Sequence, residues 1–382
     1  MPADILIYAD TLRSPELRHE LPLPIGDPLL YVERDGVRHV VVSTLEAPRV
    51  EELGGYQVHV LEEFGLDELR RSGKSYYEVG DELTERAVRS LGVERAVVPG
   101  SFPVVVADRL RGLGVELTPD REFFDRRRRV KTGAELAGIK RAQAAAEAGM
   151  AAARGLLREA RAPNGNGGLV VDGERLTSER LKAAISLAFT ECGATADEFI
   201  VSHGPQSAIG HHLGSGQLRA GETIVIDLWP RDTESGCFAD MTRTFVVGEI
   251  DPEVAEWHRL CSIALERAFD DIRAGVVPRS VYDGTCEIFE AAGVVTQRTK
   301  PPGEVTDGGF LYALGHGVGL DVHEEPVLGI LGHNDELVAG DVLAVEPDVH
   351  RKNFGGVRLE DLVLVTEDGA EKLTDFPYDL TP

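Results

Sequence analysis

The alternation of apolar and polar positions divides the chain in two. Up to about residue 128, short apolar runs at 5–8, 29–32, 37–42, 58–61 and 96–98 are separated by segments such as 79–91 and 104–112, whose apolar positions recur at helical spacing. Short β-branched runs read as strands and the longer periodic segments as helices, which predicts an α/β layer. Four arginines at 126–129 close this region, and just beyond them Thr132 and Glu135 have the spacing of a helix capping box. A long Ala-rich helix over 133–160 is therefore expected. The boundary between two domains falls at about residue 128, with the arginine run a solvated linker or helix flank.

Past that helix, Pro163, Asn164, Gly165, Asn166, Gly167 and Gly168 form a cluster of turn formers, predicting an exposed loop or hairpin that continues to Gly173. The rest of the chain mixes strands at 223–228, 241–247, 342–345 and 357–365 with helices near 252–274 and 281–292. This is an α+β pattern, and its strands carry an unusual share of polar residues.

Length and charge narrow the picture. With 382 residues the chain exceeds what one core normally supports. A net charge of −25, from 40 basic and 65 acidic residues, argues against a nucleic-acid ligand. No apolar run reaches the ~18 residues of a membrane span, and Met1, Pro2, Ala3 and Asp4 do not open a secretory signal. The expectation is a cytoplasmic protein without membrane association. Cys192, Cys237, Cys261 and Cys286 are far apart and form no CxxC pair, so neither a disulfide framework nor a thiolate metal site is suggested.

The polar residues on strands carry the chemistry. Asp227 stands near the end of the apolar run 223–228, where an ionised carboxylate is costly unless paired or metal-bound. Asp240 opens the next strand, and antiparallel pairing of the two would bring both carboxylates together, where they repel unless a cation lies between them. His316 and His323 lie in a glycine-rich stretch, Glu346 ends the apolar run from 342, and Glu360 sits within 356–361. Four carboxylates with one imidazole suit two divalent ions, manganese first, with cobalt, zinc or iron as alternatives. Singly, each residue has a plain explanation in a chain with 65 acidic side chains.

As an ordered set, GHGVGLDVHEEP (315–326), AVEP (344–347) and the Asp-x-Thr-Arg-Thr of Asp240 to Thr244 resemble the signature of the creatinase, methionine aminopeptidase, aminopeptidase P and prolidase superfamily. Residues 129–382 resemble its pita-bread catalytic domain, and 1–128, more weakly, the smaller creatinase-like α/β N-terminal domain. The resemblance implies that Asp227 chelates one metal, that Asp240 and Glu360 bridge both, and that His316 and Glu346 complete the second site. A bridging hydroxide would attack the peptide bond, with Glu346 shuttling the proton and His323 contacting substrate. His211 resembles a further catalytic histidine, although the adjacent His212 blurs the match. Arg243 and Arg358 would orient the ligand carboxylates, or form structural salt bridges. The implied function is hydrolysis of Xaa-Pro peptides by a prolidase or an aminopeptidase P, commonly a homodimer. The alternatives are a related dinuclear hydrolase of non-prolyl small peptides or amides and, more distantly, a non-catalytic binding module. One departure stands out: thirteen residues separate Asp227 from Asp240, about two more than the family pattern, so the connection between their strands must lengthen or bulge.

Overall fold

The computed structural model describes residues 4–163, 167–331 and 335–382, and divides into two compact units, Met1–Arg128 and Arg129–Pro382. In the first, six strands form one sheet in the order Gln57–Val60, Val37–Val42, Leu29–Arg34, Asp4–Ala9, Arg95–Val98, Glu116–Pro119. Period-two alternation sends Leu6, Leu30 and Val32 to one face, and Ile5, Ile7, Leu29 and Tyr31 to the other, and each set anchors its own core. Both faces are covered, as a sheet with parallel pairs at its edges requires.

The arginine run departs from the solvated flank expected of it. Arg127 donates to Glu20 at 2.6 Å and to Glu33 at 2.8 Å, Arg129 forks onto Asp341 at 3.0 and 2.7 Å, and Arg128 is buried. Arg126 stays exposed on the helix Arg121–Arg129, whereas acidic partners far away in sequence draw Arg127 and Arg129 inward, a feature local composition does not reveal.

In the second unit the capping box forms at Thr132 and Glu135, opening the helix Gly133–Glu159. Its small residues, Ala142, Ala145, Ala146 and Ala153, let the helix Ser178–Glu191 pack closely. A Cβ at Gly149 would stand 2.7 Å from Phe189. Two further helices, Pro252–Asp271 and Pro278–Ala291, cover a second core. Between these helical layers lie a three-stranded sheet, Ile200–His203, Thr223–Leu228, Met241–Val246, and a five-stranded sheet, Glu324–Leu328, Gly315–Gly317, Val342–Val345, Asp361–Val365, Ala370–Lys372. A third small sheet joins Gly308–Gly309, Asp348–Arg351 and Gly355–Arg358. No helix among the described residues is long and apolar enough to cross a membrane.

Three expectations are refined by this architecture. The turn-rich cluster leads into a hairpin of Val170–Val171 and Glu174–Arg175, although Asn164, Gly165 and Asn166 lie outside the described residues. The strand expected over 357–365 is two strands, broken at Leu359 and Glu360 so that Glu360 can pair with Thr242 of another sheet. The long connection from Asp227 to Asp240 holds a short strand, Arg231–Asp232, paired with Ala194–Thr195. There Asp232 takes the Arg141 fork at 3.1 and 2.8 Å.

Candidate metal centre

Register explains how the carboxylates meet. Asp227 pairs with Thr242 and Leu228 with Met241, so Asp227, Thr242 and Asp240, two residues before Thr242, project to one face. Glu360 joins them across the sheets: its N–H donates to the Thr242 carbonyl at 3.1 Å, and its Oε2 accepts from the Thr242 hydroxyl at 2.6 Å. From the five-stranded sheet, His316 pairs with Ala344, and Glu346 N–H donates to the Leu314 carbonyl, which puts His316 and Glu346 on a common face. The glycines flanking His316 are required by close approach. A Cβ at Gly315 would fall 2.0 Å from the Ala344 carbonyl oxygen, and one at Gly317 2.4 Å from that of Glu325.

Asp240, His316 and Glu360, all buried, each bring a donor atom within 4.8 Å of the others, a spacing that one metal ion could span. His316 Nε2 lies 3.8 Å from Asp240 and 3.4 Å from Glu346. Asp227 turns Oδ2 to Arg358 at 2.8 Å, and the same guanidinium lies 3.7 Å from Glu346. Arg358 thus touches two of the candidate ligand carboxylates directly. Arg243 does not: on the opposite face of its strand and fully buried, it donates to the Glu360, Phe376 and Pro377 carbonyls and to Asp361. His323 is exposed, its ring 4.3 Å from that of His316. His211 is exposed and close enough to act electrostatically on Asp227 and His323, whereas His212 Nδ1 is occupied by the Gly214 N–H at 3.0 Å.

The electrostatics are those of a site short of positive charge. Burial, and then the charges of Glu360, Asp227 and Glu346, push the Asp240 carboxyl well above the usual range. Glu360 rises well above it through burial and through Glu346 and Asp227. Burial raises Asp227 and takes Glu346 up to about 7, with Arg358 opposing in both cases. His316 is pushed down to about 3 by burial and then by His323, which favours the neutral imidazole a metal needs. Four carboxylates face a single guanidinium. Divalent metal fits that deficit and the donor set, oxygen-rich with one nitrogen.

Two residues of the Thr-Arg-Thr segment carry supports that motif reading alone did not assign. The Thr242 hydroxyl holds Glu360, and the Thr244 hydroxyl bridges the backbone N–H and carbonyl of Arg358, both at 2.9 Å. Strand alternation was the available signal, since it puts both threonines on the face of Asp240.

Against known proteins, the sequence model of metallopeptidase family M24 matches residues 137–367, which include every candidate metal ligand. The chain belongs to metallopeptidase family M24. Its relatives include the probable dipeptidase PepE of Mycobacterium tuberculosis (strain H37Rv), 34% identical over 47% of this chain and 45% of that protein. Another is the Xaa-Pro dipeptidase of Pyrococcus furiosus, 30% identical over 54% of this chain and 55% of the relative. The chain thus spans about half the length of these curated relatives. In fold the likeness is complete: the X-Pro aminopeptidase from Thermotoga maritima superposes with a TM-score of 0.76 over 99% of this chain and 97% of that one, at 21% identity. The M24 chain has the pita-bread fold of the creatinase superfamily, and a metallopeptidase family accounts for a donor cluster suited to a divalent ion.

Proposed function

We propose that this M24 chain is a metal-dependent Xaa-Pro peptidase of the prolidase or aminopeptidase P type, with residues 129–382 as the catalytic domain and 1–128 as the creatinase-like N-terminal domain. The carrying observation is the uncompensated charge of four carboxylates gathered around one imidazole and one guanidinium. Asp227, Asp240, His316, Glu346 and Glu360 would hold two divalent ions, of which manganese suits the oxygen-rich set best. Bound there, the ions would supply Lewis acidity toward the scissile carbonyl and toward water.

The chain's own groups then have distinct tasks. Glu346, with Oε1 3.4 Å from His316, is positioned to take a proton from the attacking water and return it to the leaving nitrogen. His323, exposed beside His316, can donate a hydrogen bond to substrate at the scissile bond, with His211 on the same rim. Arg358 fixes the orientation of Asp227 and Glu346, while Arg243 acts one layer back, through the main chain of Glu360. The dipeptidase names of the relatives support a small peptide as substrate, and the Pyrococcus furiosus relative supports proline after the scissile bond. A prolyl nitrogen lacks the N–H that ordinary peptidases hold. A homodimer belongs to the same reading.

The test is reconstitution. The protein is stripped with a chelator, manganese, cobalt or zinc is restored singly, and Xaa-Pro dipeptides, Xaa-Pro-Yaa tripeptides and non-prolyl dipeptides are assayed side by side. Cleavage of prolyl dipeptides alone identifies a prolidase, and cleavage of the tripeptides an aminopeptidase P. Cleavage of non-prolyl dipeptides alone moves the substrate to another small peptide, and metal binding without any cleavage removes the peptidase reading.

A further inference from the structure

A cavity adjoins the metal centre, and its polar groups are not used by the chemistry above. It is lined by Ile200, Ser202, Val225, Tyr312 and Arg358, with Asp348 and His350 among its other walls. Register fixes where it lies. Asp227 pairs with Ile200, and Val225 pairs with Ser202 and Thr244. Residues two apart on a strand share a face, so Ile200, Ser202 and Val225 stand on the same face as Asp227, at most one residue pair further along. On the neighbouring small sheet, Asp348 pairs with Arg358 and His350 with Gly356, so these two side chains also share a face. A peptide whose scissile carbonyl lay against the metal ligands would have an adjacent side chain within reach of this cavity.

Apolar side chains such as Ile200 and Val225 share the wall with polar ones. His350 Nδ1 lies 2.9 Å from Asp348 Oδ2, and its ring rests 5.6 Å from that of Tyr312. Asp348 is buried, and its Oδ2 occupies Nδ1 of the imidazole. Nε2, the ring's other polar atom, has no partner among the described residues. Proline offers neither an N–H nor a polar ring substituent, so a wall with an unpaired ring nitrogen does not suit the proline side of the bond.

We infer that this cavity receives the side chain of the residue before proline, and that His350, oriented by Asp348, selects side chains carrying a hydroxyl. The inference deepens the Xaa-Pro peptidase reading and rests on it. A threonine hydroxyl both donates and accepts, so it can pair with Nε2, whereas the isostere valine leaves that nitrogen without a partner. That difference gives threonine an advantage of roughly fivefold to tenfold.

The experiment compares kcat/KM for Thr-Pro and Val-Pro peptides in the wild-type, metal-loaded protein and in His350→Phe and His350→Gln. Dipeptides are used if the protein proves to be a prolidase, and tripeptides otherwise. The expected result is a wild-type ratio of roughly five or more, a ratio near one in His350→Phe, and partial recovery in His350→Gln, whose amide can donate or accept. Because each ratio is taken within a single protein, a general loss of activity cancels. An active wild type with a ratio near one, or His350→Phe keeping the wild-type ratio, overturns the selection while leaving the peptidase reading intact. A metal-loaded wild type that cleaves no prolyl peptide overturns both.

Discussion

Two buried clusters of charge, one in each unit, have opposite balance. In the N-terminal unit, Glu20 is buried, but its Oε1 takes Arg127 at 2.6 Å and its Oε2 takes the Tyr31 hydroxyl at 3.2 Å, so each oxygen has a donor. In the C-terminal unit, Asp227, Asp240, Glu346 and Glu360 share one guanidinium, and the charges that act most strongly on Asp240 are those of Glu360, Asp227 and Glu346. Burial alone therefore does not mark a functional carboxylate, since both clusters are buried. What separates them is whether the protein supplies its own countercharge. The first cluster is complete as folded, whereas the second is completed by what it binds.

The largest expected effect tests that contrast by sign. Asp240→Asn removes a charge from the crowded site, so metal-free stability, measured by urea denaturation, should rise by about 1 kcal/mol as repulsion is relieved. With metal supplied, the same variant should lose activity by roughly a thousandfold. Glu20→Gln removes the closer of the two carboxylate partners of Arg127, leaving Glu33 at 2.8 Å, and should cost about 2 kcal/mol. If both substitutions destabilise the metal-free protein, the two clusters do not differ as described.

Metal addition sharpens the comparison. A divalent ion at about one hundred times its dissociation constant should add about 2.7 kcal/mol to the folded state and raise the melting temperature, as followed by calorimetry. Glu20→Gln should keep that increment and Asp240→Asn should lose it. An increment that survives Asp240→Asn would place the bound ion elsewhere.

The pH dependence of the metal-free protein follows from the raised carboxyls. Glu346 goes from an ordinary 4.5 to about 7 on folding. An acid raised by folding binds its proton more tightly in the native state, so its contribution is fullest below pH 4.5 and is lost as pH rises to about 7. Asp227, Asp240 and Glu360 shift in the same direction. His316, lowered from 6.5 to about 3, acts oppositely and costs stability as pH falls through that interval. Four groups outweigh one, so the urea midpoint of the metal-free protein should fall between about pH 5 and 7. Glu346→Gln should flatten part of that fall, and a midpoint that rises across the interval would contradict the charge deficit.

The legibility of these features in the sequence followed their range. Strand and helix periodicity showed the α/β and α+β halves, the Thr132 and Glu135 box marked the long helix, and the ordered motifs pointed to residues of which the fold brings Asp240, His316 and Glu360 within reach of a single ion. Features set by distant partners were not legible. Arg127 and Arg129 looked solvated because Glu20, Glu33 and Asp341 are remote in sequence. Arg243 and Arg358 looked alike, but only their opposite strand faces decide that one touches candidate ligand carboxylates while the other clamps the Phe376 and Pro377 carbonyls. The break at Glu360 was hidden inside what read as one continuous strand, because it depends on Thr242 in another sheet.

Thr242 offers the smallest and most local test. Its hydroxyl donates to Glu360 Oε2 at 2.6 Å, and it is fully buried. Thr242→Val preserves shape and β-branching but leaves that carboxylate oxygen without its donor. The protein should stay folded and bind metal, because Glu360 also remains fixed through its backbone bond to the Thr242 carbonyl. The carboxylate, however, is then free to rotate, and loss of an orienting partner of this kind costs about tenfold in metal affinity. Calorimetric titration of the stripped protein should record that loss, and Thr242→Ser, which keeps the hydroxyl, should recover most of it. The equivalent change at Thr244 removes a hydroxyl that holds only the Arg358 backbone, so its effect on affinity should be smaller. If Thr242→Val and Thr244→Val weakened binding equally, the direct grip on the ligand carboxylate would count for no more than support of the neighbouring strand.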